Sequence, residues 1–330
     1  MLQRACCLLF AFAVTAAAQV PKPRYPPTHW PIRNGDFDIH NFRLGTGEAL
    51  PDAHLHYLTL GTLHRDAEGH ADNAVLLLHG TGGSAHSLLN PVFSDVLFGP
   101  GQPLDITRYF IILPDDIGHG ESSKPSDGLR MKFPRYTYDD MVRSQHEMLV
   151  DGLHVDHLRL ILGTSMGCMQ SFVWGETYPQ FSDALAPFAC LPIEIAGRNR
   201  MWRYMAMQSI RDDPAWDNGN YTHEPIEGLR RAADFIVIAG SAPQQMQKDF
   251  PTRQQPRTTS TASSTPSSTI PTPTTSSTTS THPATITLSR RSAPSPLRSS
   301  GSTPRMTSST RRNWTSPRSW SPECRTPASS

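Results

Sequence analysis

A serine flanked by glycines carries the strongest chemical signal in this 330-residue sequence. Ser165 stands in the segment Gly163 to Gly167, which reads Gly-Thr-Ser-Met-Gly and directly follows an apolar run ending at Leu162. A G-x-S-x-G segment between a strand and a helix places its serine at a sharp turn, with the hydroxyl above the sheet. The helix N-terminus behind the serine favours developing negative charge. This pattern predicts that Ser165 is the nucleophile of an acyl-transfer reaction.

A second glycine-rich segment follows another apolar run and reads His79-Gly80-Thr81-Gly82-Gly83. The tetrahedral intermediate of acyl transfer needs two preorganised N–H donors for its oxyanion. One donor is expected to be the backbone N–H of Met166, the residue after the nucleophile. The other is expected from the glycine-rich segment, most simply Thr81, with Gly82 as the alternative. No Lys-Ser or Lys-Thr pair follows the glycines, so the segment does not indicate a phosphate-binding loop.

The histidines of this half of the chain give weaker signals. His119 lies between two glycines, which favours a turn that shapes the pocket over a chemical role. His54 and His56 would share one strand face, but two histidines without further ligands are poor evidence for zinc. We therefore predict neither a metal nor a cofactor.

The elements that must position these residues are predicted by the hydrophobic pattern. Two alternating segments, 37–42 and 55–60, indicate an antiparallel edge pair. Continuous apolar runs, which suit strands buried on both faces of a parallel sheet, follow at 74–78, 109–113, 158–162 and 184–188. A helical repeat from Tyr138 to Leu149 separates the second run from the third, with Gly152 as its expected C-cap. Alternating strands and helices predict an α/β fold, with a mostly parallel sheet covered by helices on both faces.

A different pattern begins after Cys190. The segments 198–210 and 228–240 are helical and irregular, and they predict a cap over the strand ends from about residue 195. The Met and aromatic content of the first segment indicates packing. Cys168 and Cys190 are expected to be small core residues, because with Cys324 they show no disulfide framework spacing.

The N-terminus has the three parts of an export signal. Residues 1–18 contain one basic residue (Arg4), an apolar stretch from Ala5 to Val14, and an Ala-Ala-Ala cleavage site. The apolar stretch is too short to span a bilayer. Cleavage would leave a Pro-rich, extended lead-in at 19–35 and a protein that is secreted or periplasmic.

The net charge of +1 is the sum of an acidic part, residues 1–250, and a basic tail, residues 251–330. Residues 251–330 contain ten Arg, one Glu and no Asp or Lys, and 52 of the 80 residues are Ser, Thr or Pro. Such a tail lacks the large apolar groups that offset backbone ordering, so it is predicted to be disordered. This composition excludes a two-domain globular enzyme. Nucleic-acid binding by the tail is a weak alternative, because its arginines lack interleaved aromatic residues.

The segments 138–145, 163–170 and 199–216 together resemble the α/β-hydrolase fold, specifically the homoserine O-acetyltransferase-like branch, over about residues 36–250. The resemblance implies a serine nucleophile, Ser165, that moves an acyl group from a small-molecule ester or acyl substrate through an acyl-enzyme. The chain has Gly-Thr-Ser-Met-Gly-Cys where that branch usually has Gly-Gly-Ser-Met-Gly-Gly. This departure and the export signal favour a secreted esterase-type hydrolase over methionine biosynthesis. The sequence carries no signal for oligomeric state.

A complete triad in this fold needs an acid and then a histidine after the serine. The only later histidines are His223, in the cap region, and His282, in the tail. The domain at 36–250 is therefore expected to be incomplete and catalytically impaired. Reading the tail codons one base earlier converts Thr into Asn, Asp, His or Tyr, and TCN-type Ser into Phe, Leu, Ile or Val. This favours a frameshift near Arg253 over a genuine Ser/Thr/Pro-rich linker.

The frameshift hypothesis makes a prediction about the gene. Met306 followed by Thr307 can only be ATG-ACN, so the earlier frame must encode Asp beneath Thr307, followed four codons later by a permitted Pro. We expect that frame to be open from codon 253, to encode apolar strands, and to place this Asp in a loop like that of the catalytic acid. Sequencing the gene and its transcript tests this, and stop codons in the earlier frame would rule the idea out.

Overall fold

The computed structural model describes residues 25–252. The expected signal segment (1–18), the first part of the lead-in, and the tail from residue 253 lie outside the described residues. His282, Thr307 and Cys324 also lie outside the described residues, so the predictions made for them stay predictions. No helix among the described residues is long and apolar enough to cross a membrane.

Six strands form one sheet in the order β1-β2-β4-β3-β5-β6. Strands β1 and β2 form the predicted antiparallel pair, with Phe37 opposite Leu55, and β2 also runs antiparallel to β4. Strands β3, β4, β5 and β6 are mutually parallel, which confirms the predicted fold class. The strands are β1 Arg33–Arg43, β2 Ala49–Leu60, β3 Ala74–Leu78, β4 Phe110–Pro114, β5 Leu160–Thr164 and β6 Leu185–Phe188.

The central strand β3 shows why the sheet needs cover on both faces. All five of its residues are buried, and successive side chains of a strand point to opposite faces. Leu76 and Leu78 join the larger apolar core, whereas Val75 and Leu77 join a second core on the other face. The run of 184–188 was expected to be buried in the same way, and this was wrong. Strand β6 is an edge strand in the described part of the sheet, and Phe188 is 54% exposed.

The helices also follow the hydrophobic pattern. They are α1 Pro91–Ser94, α2 Tyr138–Glu147, α3 Met166–Thr177, α4 Gly197–Arg211, α5 Ile226–Gly240 and α6 Pro243–Asp249. Gly152 does not cap α2, because a π-helical turn from Met148 to Gly152 follows it and Leu153 forms the cap of that turn. Helices α4 and α5 enclose a small apolar core of their own around Ile210, Trp216 and Leu229. They occupy the segment predicted to be a cap.

A buried ion pair joins β2 to the end of β4. His56 Nδ1 donates to Asp115 Oδ2 at 2.9 Å, and His56 Nε2 lies 3.2 Å from Asn34 Oδ1. Asp115 also accepts the backbone N–H of Ala85 at 2.7 Å and of Glu121 at 2.8 Å. Burial opposes charge on both partners. The hydrogen bonds outweigh it, so the pKa of Asp115 is lowered and that of His56 is raised.

These shifts predict how Asp115→Asn changes stability with pH. Stability from Asp115 is present above its unfolded pKa of about 4, and stability from His56 is present below its unfolded pKa of about 6.5. The pair therefore stabilises most between these two values. We expect Asp115→Asn to cost about 3 kcal/mol near pH 5 and less above the raised pKa of His56. Denaturant unfolding at several pH values measures this.

The exposed pair of Asp38 with His54 provides a matched control. Asp38→Asn should cost less than about 1 kcal/mol, because solvent screens exposed pairs. An equal loss of stability from Asp115→Asn at all pH values would contradict the pairing.

Candidate active site

Ser165 lies at the junction of β5 and α3, as the sequence predicted. Its backbone has φ 54° and ψ −106°, a conformation that costs a non-glycine residue about 1–3 kcal/mol. Its N–H donates to the carbonyl of Phe188 at 2.9 Å, and the N–H of Met169 donates back to the Ser165 carbonyl at 3.2 Å. Neighbouring elements on both sides of Ser165 therefore hold the strained turn.

The two glycines of the motif make this turn possible sterically. A Cβ on Gly163 would overlap the backbone of Gly167, and a Cβ on Gly167 would overlap the carbonyl of Leu78, the last residue of β3. The N–H of Gly167 donates to the carbonyl of His79 at 3.0 Å. The nucleophile turn is therefore packed directly on the end of the central strand.

The predicted oxyanion segment lies beside the nucleophile. A Cβ on Gly80 would lie 3.4 Å from Cβ of Ser165, so the backbone after Gly80 passes close to the serine. The N–H of Gly83 donates to the carbonyl of Gly80 at 2.9 Å and Gly82 has φ 73°, which closes a tight turn that presents Thr81. Met166 is the first residue of α3, where an N–H has no carbonyl partner within its own helix. Both predicted N–H donors thus lie on segments adjoining Ser165.

A buried polar network holds the glycine-rich turn at Gly80 in place. His79 Nε2 accepts the backbone N–H of Asp116 at 3.3 Å, and its Nδ1 donates to the Gly80 carbonyl at 2.9 Å. The Asp116 carboxylate accepts from Gln145 at 2.5 Å and from Gln170 at 2.7 Å. His79 was predicted only as part of a motif. Its structural task is to join Gly80, held by Nδ1, to Asp116, held by Nε2, and this link depends on residues far apart in the chain.

His119 is enclosed beside this network. Its ring lies 5.1 Å from that of His79. Burial and the neighbouring His79 lower the pKa of His119 to about 4, which keeps the ring neutral near pH 7. The backbone N–H of His119 donates to the carbonyl of Asp116 at 2.9 Å, so His119 lies in a turn, as predicted.

A cavity of about 440 Å³ opens above Ser165. Ser165, Met166 and Met169 form its floor, and Tyr138 and Arg203 contribute from α2 and α4. The remaining wall is formed by the loop after β6, with Ala189, Cys190, Leu191, Ile193, Glu194, Ile195 and Ala196, and by Asn199 of α4. Sequence reasoning did not identify Tyr138 or Arg203 as site residues, because their proximity to Ser165 exists only in the folded chain.

The described part of the chain places no histidine in position to act as the base of Ser165. His223 is exposed, is hydrogen-bonded to Thr222, and does not line the cavity. Nor do residues 25–252 contain a group of three side chains arranged to hold a metal ion. His54 pairs with Asp36 and Asp38 instead.

Cys168 is buried, as predicted, but the expectation that Cys168 and Cys190 form no disulfide was wrong. They are disulfide-bonded, with Cα atoms 5.9 Å apart and a sequence separation of 22. The register of β5 against β6 explains this, because Thr164 is paired with Phe188. The first turn of α3 therefore meets the loop that leaves β6. The disulfide ties the cavity wall to the helix that carries the nucleophile turn.

Comparisons with known proteins agree with this geometry. A family model described as alpha/beta hydrolase fold matches residues 73–280, and the chain belongs to this family. It is 37% identical over 216 residues to a homoserine O-acetyltransferase of Moorella thermoacetica, covering 59% of this chain and 55% of that protein. The chain thus spans little more than half the length of this curated relative.

Two solved structures share the fold. An acetylester hydrolase from Corynebacterium glutamicum superposes with a TM-score of 0.64 at 23% identity, covering 74% of this chain and 70% of that one. A homoserine O-acetyltransferase from Bacillus anthracis superposes with a TM-score of 0.60 at 23% identity, covering 68% and 65%. At this identity the likeness concerns the fold alone.

The disulfide predicts a dependence on reducing agents. The loop 189–196 carries four consecutive exposed residues, 191–194, so apolar burial anchors it poorly. Reduction, or the double change Cys168→Ala with Cys190→Ala, should lower stability by about 3 kcal/mol and make the loop more sensitive to protease.

Non-reducing peptide mapping and limited proteolysis measure the two effects. Ser209→Ala, an exposed change on α4, should alter neither. Finding free thiols at both cysteines in protein purified under oxidising conditions would contradict this assignment.

Proposed function

We propose that this protein is an esterase-type serine hydrolase that acts by acyl transfer through an acyl-enzyme. The observation that carries the proposal is Ser165 itself, held in a strained turn at the floor of a 440 Å³ cavity. A serine hydroxyl placed there suits attack on a small-molecule ester carbonyl. Membership of the alpha/beta hydrolase family is consistent with this chemistry.

The local geometry supports the following proposal for the reaction. Ser165 Oγ attacks the ester carbonyl, and the carbonyl oxygen becomes an oxyanion. The N–H groups of Thr81 and Met166, or of Gly82 in place of Thr81, would donate to that oxyanion. The alcohol then leaves with the proton that the Ser165 hydroxyl gives up, and the acyl group stays on Ser165. Water later attacks the acyl carbonyl, which releases the carboxylic acid and restores the Ser165 hydroxyl.

A transferase is the first alternative, in which an acceptor alcohol takes up the acyl group in place of water. The relative from Moorella thermoacetica is named a homoserine O-acetyltransferase, while the structural neighbour from Corynebacterium glutamicum is named an acetylester hydrolase. The proposed export of this chain favours the hydrolase, because acetyl-CoA is a cytosolic acyl donor.

A second alternative is a non-catalytic homologue or binding module. The observation that favours it is the absence of a cavity-lining histidine among residues 25–252. Removing the histidine of a serine triad alone costs several orders of magnitude in rate. We propose that the acid and the histidine belong to a reading frame displaced by one base from about Arg253, so that the chain as written is impaired.

We also propose that the protein is exported, to the periplasm or outside the cell. The three-part pattern of residues 1–18 supports this. The disulfide between Cys168 and Cys190 gives independent support, because structural disulfides are typical of oxidising compartments.

A fluorophosphonate probe tests the proposed chemistry, since it reacts with activated serines. The chain as written should label slowly, and a chain continued in the earlier frame from codon 253 to the stop codon of that frame should label at least about 10³-fold faster. Mass spectrometry should place the adduct on Ser165.

Two variants make this experiment specific. Ser165→Ala should abolish labelling in both chains, whereas Ser209→Ala, a change of an exposed serine on the cap helix, should leave it unchanged. If the chain in the earlier frame labels no faster, the proposed missing triad is incorrect. If Ser165→Ala still labels, Ser165 is not the nucleophile.

A further inference from the structure

Two polar groups in the Ser165 cavity have no role in the acyl-transfer steps. Tyr138 is the first residue of α2, and Arg203 lies on α4, and both line the cavity with Ser165. One comes from the hydrolase core and the other from the cap segment. They are polar groups in a cavity whose other walls are mostly apolar.

The Tyr138 hydroxyl is buried and unsatisfied. Its oxygen is covered and has no hydrogen-bond partner among the described residues. Burial raises the pKa of Tyr138, so the hydroxyl keeps its proton at neutral pH and can donate. A buried hydroxyl without a partner is unusual in folded proteins, and it indicates a position for a ligand acceptor.

The Arg203 guanidinium is only partly satisfied. Its Nε donates to Asn199 Oδ1 at 2.7 Å and its Nη2 to Thr81 Oγ1 at 3.3 Å. A guanidinium has five N–H donors, so three remain. No acid within residues 25–252 forms an ion pair with Arg203. Burial lowers the pKa of Arg203, yet arginine keeps its charge in proteins.

A half-buried charge without a counter-charge calls for an anion. Arginine binds carboxylates through two parallel N–H donors, and a tyrosine hydroxyl can add a third hydrogen bond. The Arg203 contact with Thr81 places this charge next to the predicted oxyanion segment. Glu194 is the only acidic residue among the described residues of the cavity wall, and it is exposed.

We propose that Tyr138 and Arg203 form an anion subsite that binds a carboxylate carried by the ester substrate. Only the identification of the ligand as a substrate depends on the proposed function; the anion subsite itself does not. Esters with a carboxylate a few bonds from the scissile carbonyl would be preferred over neutral esters of the same size. The carboxylate can belong to either the acyl or the alcohol side of the ester.

The experiment measures binding by calorimetry to the full chain carrying Ser165→Ala, so that turnover does not interfere. The probes are monoethyl succinate, with its carboxylate on the acyl side, acetoxyacetate, with its carboxylate on the alcohol side, and neutral ethyl butyrate. We expect one of the carboxylate esters to bind at least about tenfold more tightly than ethyl butyrate. The tighter one identifies the side that carries the anion.

Substitutions assign this preference to the two residues. Arg203→Met should remove the preference, and Tyr138→Phe should weaken binding of the charged ester about three- to tenfold. Arg200→Met and Tyr204→Phe, at exposed positions of α4, are matched controls that should leave it unchanged. Glu194→Gln should not weaken it. Tyr138→Phe keeps the test decisive if Arg203→Met does not fold.

Equal binding of charged and neutral esters, or no binding of any of the three, would overturn the subsite. An equal loss in Arg200→Met and Arg203→Met would do the same, because it would indicate only a general effect of charge. Because binding is measured with the Ser165→Ala variant, the result can be interpreted even if the proposed hydrolase chemistry is wrong. Conversely, a failure here does not affect labelling of Ser165.

Discussion

The left-handed backbone at Ser165 is the constraint on which the rest of the site depends. A φ of 54° is unfavourable for serine, so the surrounding structure must supply the stabilisation. It does so through the Gly167 N–H bound to the end of β3, the Ser165 N–H bound to the end of β6, and the close approach of Gly163 to Gly167. Three parallel strands therefore converge on one residue, and the Ser165 side chain keeps its orientation only while all three are in register.

Segments outside the sheet form the walls of the cavity. The loop 189–196 forms one wall, and its attachment to α3 is the disulfide between Cys168 and Cys190. On the other side, Arg203 reaches from α4 to Thr81 in the oxyanion segment. The loop is thus linked to α3, and α4 is linked to the predicted oxyanion segment. Binding of a substrate group by Arg203 would restrain the segment that carries Thr81, the predicted oxyanion donor.

Predictions from the sequence were strongest where one local pattern determines one element. The all-apolar run of β3 and the motif around Ser165 each carry their structural context within a few residues, so strand, turn and helix were located correctly. The run at 184–188 was misjudged, because its burial depends on what lies beside it in the sheet. The cysteines were misjudged for a similar reason: strand register decides their distance, and sequence spacing does not reveal it.

The sequence by itself determined the α/β class, the sharp strand-to-helix turn at Ser165 and the neighbouring glycine-rich segment at Gly80 and Thr81, because sterics and hydrophobic periodicity act over short stretches. Only the tertiary structure decided which distant side chains share the cavity. Tyr138 and Arg203 are 65 positions apart in the numbering, and folding brings both to the cavity at Ser165. Their unsatisfied donors are a property of the packed chain, since hydrogen-bond satisfaction is defined only once every neighbour is in place.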